Sequence, residues 1–103
     1  MDNKIERITK KTFSEGSIRD SAVFLSMCVK NAFPDFHFRG IEVVNFLPGK
    51  KIVEGKSWNH KLTVKGAELN GINVWEVSCH RVSHGESADK KVWLDTENLM
   101  PVN

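Results

Sequence analysis

Ser78, Cys79, His80 and Ser83 place hydroxyl, thiol and imidazole groups close together, and His60 and His84 add further imidazoles. These residue types can serve as nucleophile and base, or as metal ligands. Their spacing argues against both. In a strand, neighbours such as Cys79 and His80 point to opposite faces, so they can neither form a nucleophile–base pair nor share one metal. His80 and His84 converge only if the chain at 83–85 folds back, and a third ligand is not assured. The chain has no Cys-x-x-Cys, His-Glu-x-x-His or Gly-x-Ser-x-Gly spacing and no phosphate-cradling glycine loop. Its carboxylates stand singly, each near a basic residue, which leaves no acid–base dyad. Ser21 and Ser26 read as small packing residues of a helix. The expectation is a protein that is not an enzyme and takes no metal or cofactor.

Charge is the stronger surface signal. Lys50, Lys51, Lys56, Lys61 and Lys65 are opposed within their stretch by Glu54 alone, a local balance of +4. The whole chain carries +2, so the remainder is −2 and the charge is polarised. Trp58, Asn59 and His60 sit inside the basic stretch, and an aromatic among cations suits a phosphate backbone with a stacked base. The same lysines also read as ordinary solvated residues on strands and turns, with Trp58 in the core. No arginine, the residue favoured for bidentate phosphate contact, occurs there.

Aromatic residues supply a second candidate surface. With six Phe, three Trp and no Tyr, most rings belong in the core. Phe36 and Phe38 share one face of an extended segment and leave His37 and Arg39 outward. On the helix expected after residue 17, the flank of Phe24, Met27 and Cys28 is left bare if a sheet covers only the neighbouring stripe. Phe24, Met27, Phe36, Phe38 and Arg39 are therefore the candidate protein-binding residues. Lys50, Lys51, Lys56, Trp58, Lys61 and Lys65 are the candidate nucleic-acid-binding ones.

These side chains need elements to position them. Residues 1–16 are polar and basic, with Ile5 and Ile8 three apart and Glu6 four before Lys10, a pattern for a short amphipathic helix that Gly16 ends. Ser17 is a good N-cap with Asp20 three residues on. Ile18, Ala22, Leu25, Val29 and Ala32 then make a helical stripe that Pro34 stops. From Phe36 the apolar period falls to two. Strands are expected at Ile41 to Leu47 and Lys50 to Glu54, around a Pro48-Gly49 turn, followed by a loop over Gly55 to Asn59.

Asn70-Gly71 is a type I′ hairpin dipeptide. Placing it at the tip sets Leu69 against Ile72, Lys65 against Glu76, Thr63 against Ser78 and Lys61 against His80 on one register. Val64 then meets Val77, Leu62 meets Cys79, and Trp75 covers Gly66. One face is apolar and the other pairs charges and hydroxyls, as a half-buried hairpin over 60–81 requires. Val82 to Lys90 reads as a polar loop, Lys91 to Leu94 as the last strand, and Asp95 to Leu99 as a turn.

At 103 residues, 40% apolar and 27% charged, the chain fits one domain able to hold a single core. A helical part (1–34) leads into a β part (36–103). Cys28 and Cys79 read as buried, reduced thiols. The polar N-terminus has no apolar signal region and no stretch approaches the ~20 residues of a membrane span, so a cytoplasmic protein without membrane contact is expected.

The ending Val92-Trp93-Leu94, through a short turn into Asn98-Leu99-Met100-Pro101-Val102, resembles that of SH3-like small β-barrels over about residues 41–103. That resemblance implies a binding module for peptides or nucleic acid rather than a catalyst. The fold expected is α+β: an N-terminal helix packed on a coiled antiparallel sheet, or on a small SH3-like barrel, of about five strands. The function expected is docking on a protein partner as a regulator or inhibitor, a role common among small single domains of phages and other mobile elements. The alternative is a nucleic-acid-binding module, for DNA or RNA, that uses the basic 50–65 stretch.

Overall fold

The computed structural model describes residues 3–83 and 86–102. Asn3 opens helix α1 (Lys4–Thr9) by accepting from the backbone N–H groups of Ile5 and Glu6. The helix then widens into a π-helical turn over Lys10–Ser14, and Gly16, at φ +68°, redirects the chain. Ser17 caps helix α2 (Ile18–Ala32) by accepting from the Asp20 N–H, while its hydroxyl donates to the Asp20 carboxylate.

The buried face of α2 is Ser21, Phe24, Leu25, Cys28, Val29 and Ala32, which corrects the expected stripe. Ile18, its expected first member, is 68% exposed and Ala22 is half-buried. Burial of Ser21 is tolerated because its hydroxyl donates to the Ile18 carbonyl.

Five strands follow in an antiparallel meander of order β1-β2-β3-β4-β5: β1 Glu42–Leu47, β2 Ile52–Ser57, β3 His60–Leu69, β4 Ile72–Ser83 and β5 Glu86–Asp95. Both helices lie against the sheet, giving the expected α+β class in its open-sheet form. The radius of gyration is 13.2 Å, close to the ~13 Å of a compact chain this long.

Each pairing of the Asn70-Gly71 hairpin follows the expected register, from Leu69–Ile72 through Val64–Val77 to Lys61–His80. Asn70 and Gly71 both have positive φ, at 52° and 80°, as a type I′ turn demands. Leu62, Val64 and Val77 are fully buried and Trp75 and Cys79 nearly so. On the opposite face Glu76 receives Lys65 at 3.7 Å and Lys91 at 2.7 Å.

Residues 36–39 join no ladder, and Phe36 and Phe38 pack on each other and against His60 of β3. Two expected loops are mostly strand. The segment read as loop over Gly55 to Asn59 continues β2 to Ser57, so the turn is Trp58-Asn59. Gly55 is needed because β1 comes close, and a Cβ there would stand 2.8 Å from the Glu42 carbonyl oxygen and 2.5 Å from Leu25. The polar stretch from Val82 is likewise mostly strand, with β4 reaching Ser83 and β5 starting at Glu86. Backbone ladder bonds carry these ends, and such bonds need no apolar alternation to announce them.

The chain closes as a turn over 96–98. Leu99, at φ 56° and fully buried, donates to the Asp95 carbonyl. The Leu99 carbonyl in turn accepts from the Asn31 side chain on α2 at 2.8 Å, which ties the C-terminus to the helix.

Candidate functional site

Folding divides the basic stretch. Lys50 and Lys51 sit at the β1–β2 turn, where Lys51 adopts a left-handed conformation, whereas Lys56, Trp58 and Lys61 sit at the opposite end of β2. At ~3.3 Å per residue, seven residues of strand separate Lys51 from Trp58 by about 20 Å. Lys65 is taken up by Glu76. The six candidate nucleic-acid residues therefore do not form one surface.

What remains at the Trp58 end is more concentrated than the sequence suggested. Ser57 pairs with His60, so Trp58 and Asn59 form a two-residue turn. Trp58 alone of the two has positive φ, 54°, the φ pattern of a type II′ turn, whose first position favours glycine. Trp58 is 86% exposed and so is not core. Lys56 and Lys61 stand directly opposite each other behind it, a like-charge pair that costs stability. Neither reaches a carboxylate among the described residues.

The connection from α2 to β1 packs beside this turn. Phe36 and Phe38 lie 4.5 Å apart, and His60 meets them edge-on at 4.8 and 5.3 Å. The Ser57 hydroxyl donates to the Arg39 carbonyl at 2.5 Å, pinning this segment to β2. Arg81 faces His60 across the ladder and Lys90 faces Cys79. Together these groups enclose a cleft of about 130 Å³ lined by Phe33, Phe36, Phe38, His60, Cys79, Arg81 and Lys90. Arg81 and Lys90 share the inner face of the sheet with His60 and Cys79, whereas Lys56 and Lys61 point to the opposite face, beside His80.

The other candidates fall elsewhere. Phe24 is fully buried, which corrects its assignment to a bare flank: the N-terminal segment lies over it, with Phe13 edge-on at 5.1 Å and Trp75 at 4.9 Å. Cys28, on the same flank, is also fully buried. Met27 is half-buried and joins Ala22, Val23 and Ser26 in a shallow apolar surface on α2, remote in sequence from the Trp58 end.

Both cysteines are unpaired. Burial pushes the Cys28 thiol far above its ordinary range. Burial also raises Cys79, with Lys90 pulling it back and Asp89 adding to the rise. A thiol held protonated is a poor nucleophile. His80 turns away from Cys79 and pairs through Nδ1 with Asp89. No group of three His, Cys, Asp or Glu side chains able to hold a metal occurs among the described residues; His84 lies outside them. No helix among them is long and apolar enough to cross a membrane.

His60, Arg81 and Lys90 were not singled out from the sequence as binding residues. The Asn70-Gly71 register does place His60 against Arg81, so that pair was within reach. Lys90 was not, because its position depends on a strand that reads as loop.

No protein-family model, no curated protein and no solved structure matches the chain.

Proposed function

We propose that the chain is a non-catalytic docking protein that binds a protein partner through the Trp58 end and acts by occlusion, as a regulator or inhibitor. Trp58 carries this reading. Folding gives no reason for a tryptophan at that position: it buries little of its surface, and its positive φ costs ~1–3 kcal/mol where glycine is relaxed. Binding supplies a reason, because a Trp covered by a partner removes 150–250 Å² from water and such anchors dominate interfaces. Lys56 and Lys61, opposite each other just behind the turn, give such an anchor charged neighbours of the kind found on an interface rim.

One observation favours a nucleic-acid target instead, namely the placement of Trp58 between Lys56 and Lys61, a stacking ring flanked by phosphate-binding charges. Capture from a lysate of the source cell separates the two. The expected result is a protein retained after nuclease treatment and lost with Trp58→Ala. Capture that disappears on nuclease treatment, or affinity that falls steeply with salt for DNA or RNA, selects the second reading.

A further inference from the structure

Beside Trp58, the cleft between the Phe36–Phe38 segment and β3–β4 has a size and chemistry of its own. At about 130 Å³ it is well below the ~300–1,000 Å³ of sites that enclose a free small molecule. It is close to the ~150 Å³ that accommodates a single benzene ring. Its walls are the rings of Phe33, Phe36, Phe38 and His60 with the Cys79 thiol. No hydroxyl, amide or carboxylate side chain lines it. Arg81 and Lys90 complete the lining, while Lys56 and Lys61 project from the opposite face of the sheet. Neither Arg81 nor Lys90 meets a carboxylate within 4 Å among the described residues.

We infer that this cleft receives one apolar side chain, aromatic or aliphatic, from an acidic segment of the partner protein. The flanking Asp and Glu residues of that segment pair with Arg81 and Lys90. The inference rests on the docking function proposed above and specifies the chemistry of what docks. Charge complementarity selects the occupant: the apolar floor rewards one buried anchor, and the unpaired cations reward acidic neighbours and repel basic ones.

The test is a titration of the intact protein, followed by NMR, with four probes. These are a short peptide of Asp and Glu around one central Phe, the same peptide with Phe→Ala, its Lys-flanked counterpart, and a single-stranded oligo-dT. The acidic Phe peptide is expected to shift the ring signals of Phe36, Phe38 and His60 saturably. The Phe→Ala and Lys-flanked peptides should bind at least tenfold more weakly. Arg81→Glu with Lys90→Glu, both exposed, should weaken the acidic peptide tenfold or more, whereas Lys50→Glu with Lys51→Glu at the far end should leave it unchanged. Equal binding of the Phe→Ala peptide, or tighter binding of oligo-dT at the same signals, overturns the inference. If the acidic peptide fails while Trp58-dependent, nuclease-resistant capture of a protein persists, this inference falls and the docking function stands. If the peptide binds as expected but capture is lost to nuclease, the docking function falls instead.

Discussion

Trp58→Gly should separate binding from stability. The substitution removes an 86% exposed indole and gives the turn a residue that accepts φ 54° without strain. Relief of the strained backbone is worth ~1–3 kcal/mol, and the extra freedom of glycine in the unfolded chain takes back ~0.5–1 kcal/mol. Folding stability should therefore hold or rise, by up to about 2 kcal/mol. At ~4–8 °C per kcal/mol for a domain of this size, the melting temperature should stay level or climb, by up to about 8–16 °C. Partner affinity should move the other way. An indole of ~200 Å² at ~25 cal/mol/Å² represents about 5 kcal/mol of gross burial, of which a typical anchor retains 2 kcal/mol or more. That corresponds to a loss of about 30-fold or more in Kd. Calorimetric or fluorescence-monitored melting, together with titration of the captured partner, provides both readings. Trp58→Ala is the companion variant: it keeps the strained φ, so affinity should fall with little gain in stability. A drop in melting temperature of more than about 4 °C on Trp58→Gly would show that the indole supports the fold, and unchanged affinity would show that it is not the anchor.

Gly55→Ala should destabilise by ~1–3 kcal/mol in urea unfolding, because the added Cβ would press on the Glu42 carbonyl and on Leu25. Glu76→Gln should cost ~1 kcal/mol, with a smaller loss at high salt; its side chain is 11% exposed, but its two lysine partners are about half exposed, which screens the pairs. Thiol titration of the folded protein at pH 8 should label both cysteines slowly, Cys28 more slowly than Cys79, and both rapidly in denaturant. The raised Cys28 pKa has a stability consequence of definite sign: the folded state holds the proton while the unfolded thiol releases it. This thiol's contribution is therefore complete below the ordinary value of 9.0 and declines above it, by at most ~1.4 kcal/mol per pH unit. Cys28→Ala should flatten that alkaline decline.

The sequence by itself determined the parts of this protein in which local signals and burial agree. Ser17 with Asp20 marks the start of α2, Pro34 marks its end, and Asn70-Gly71 with two matched faces fixes ten residue pairs of the central hairpin. A one-residue slip there would expose Val64 and Trp75, so no competing register is near in energy. Tertiary structure decided the rest, for reasons visible at single residues. Phe24 could face solvent or core according to whether Phe13 covered it, a contact between segments that periodicity within α2 does not encode. The lysines from 50 to 65 are close along the chain, but the β2–β3 hairpin keeps 50–51 and 65 at one end of the strands and carries 56–61 to the other. Trp58 reads equally as core or surface until the Ser57–His60 pairing puts it at a hairpin tip. The cleft is assembled from Phe33, Phe36, Phe38, His60, Cys79, Arg81 and Lys90, and its last member arrives on the polar first half of β5, which carries no apolar alternation. Backbone pairing leaves no mark on side-chain alternation, so Lys90, which completes the site, was the residue the sequence could not place.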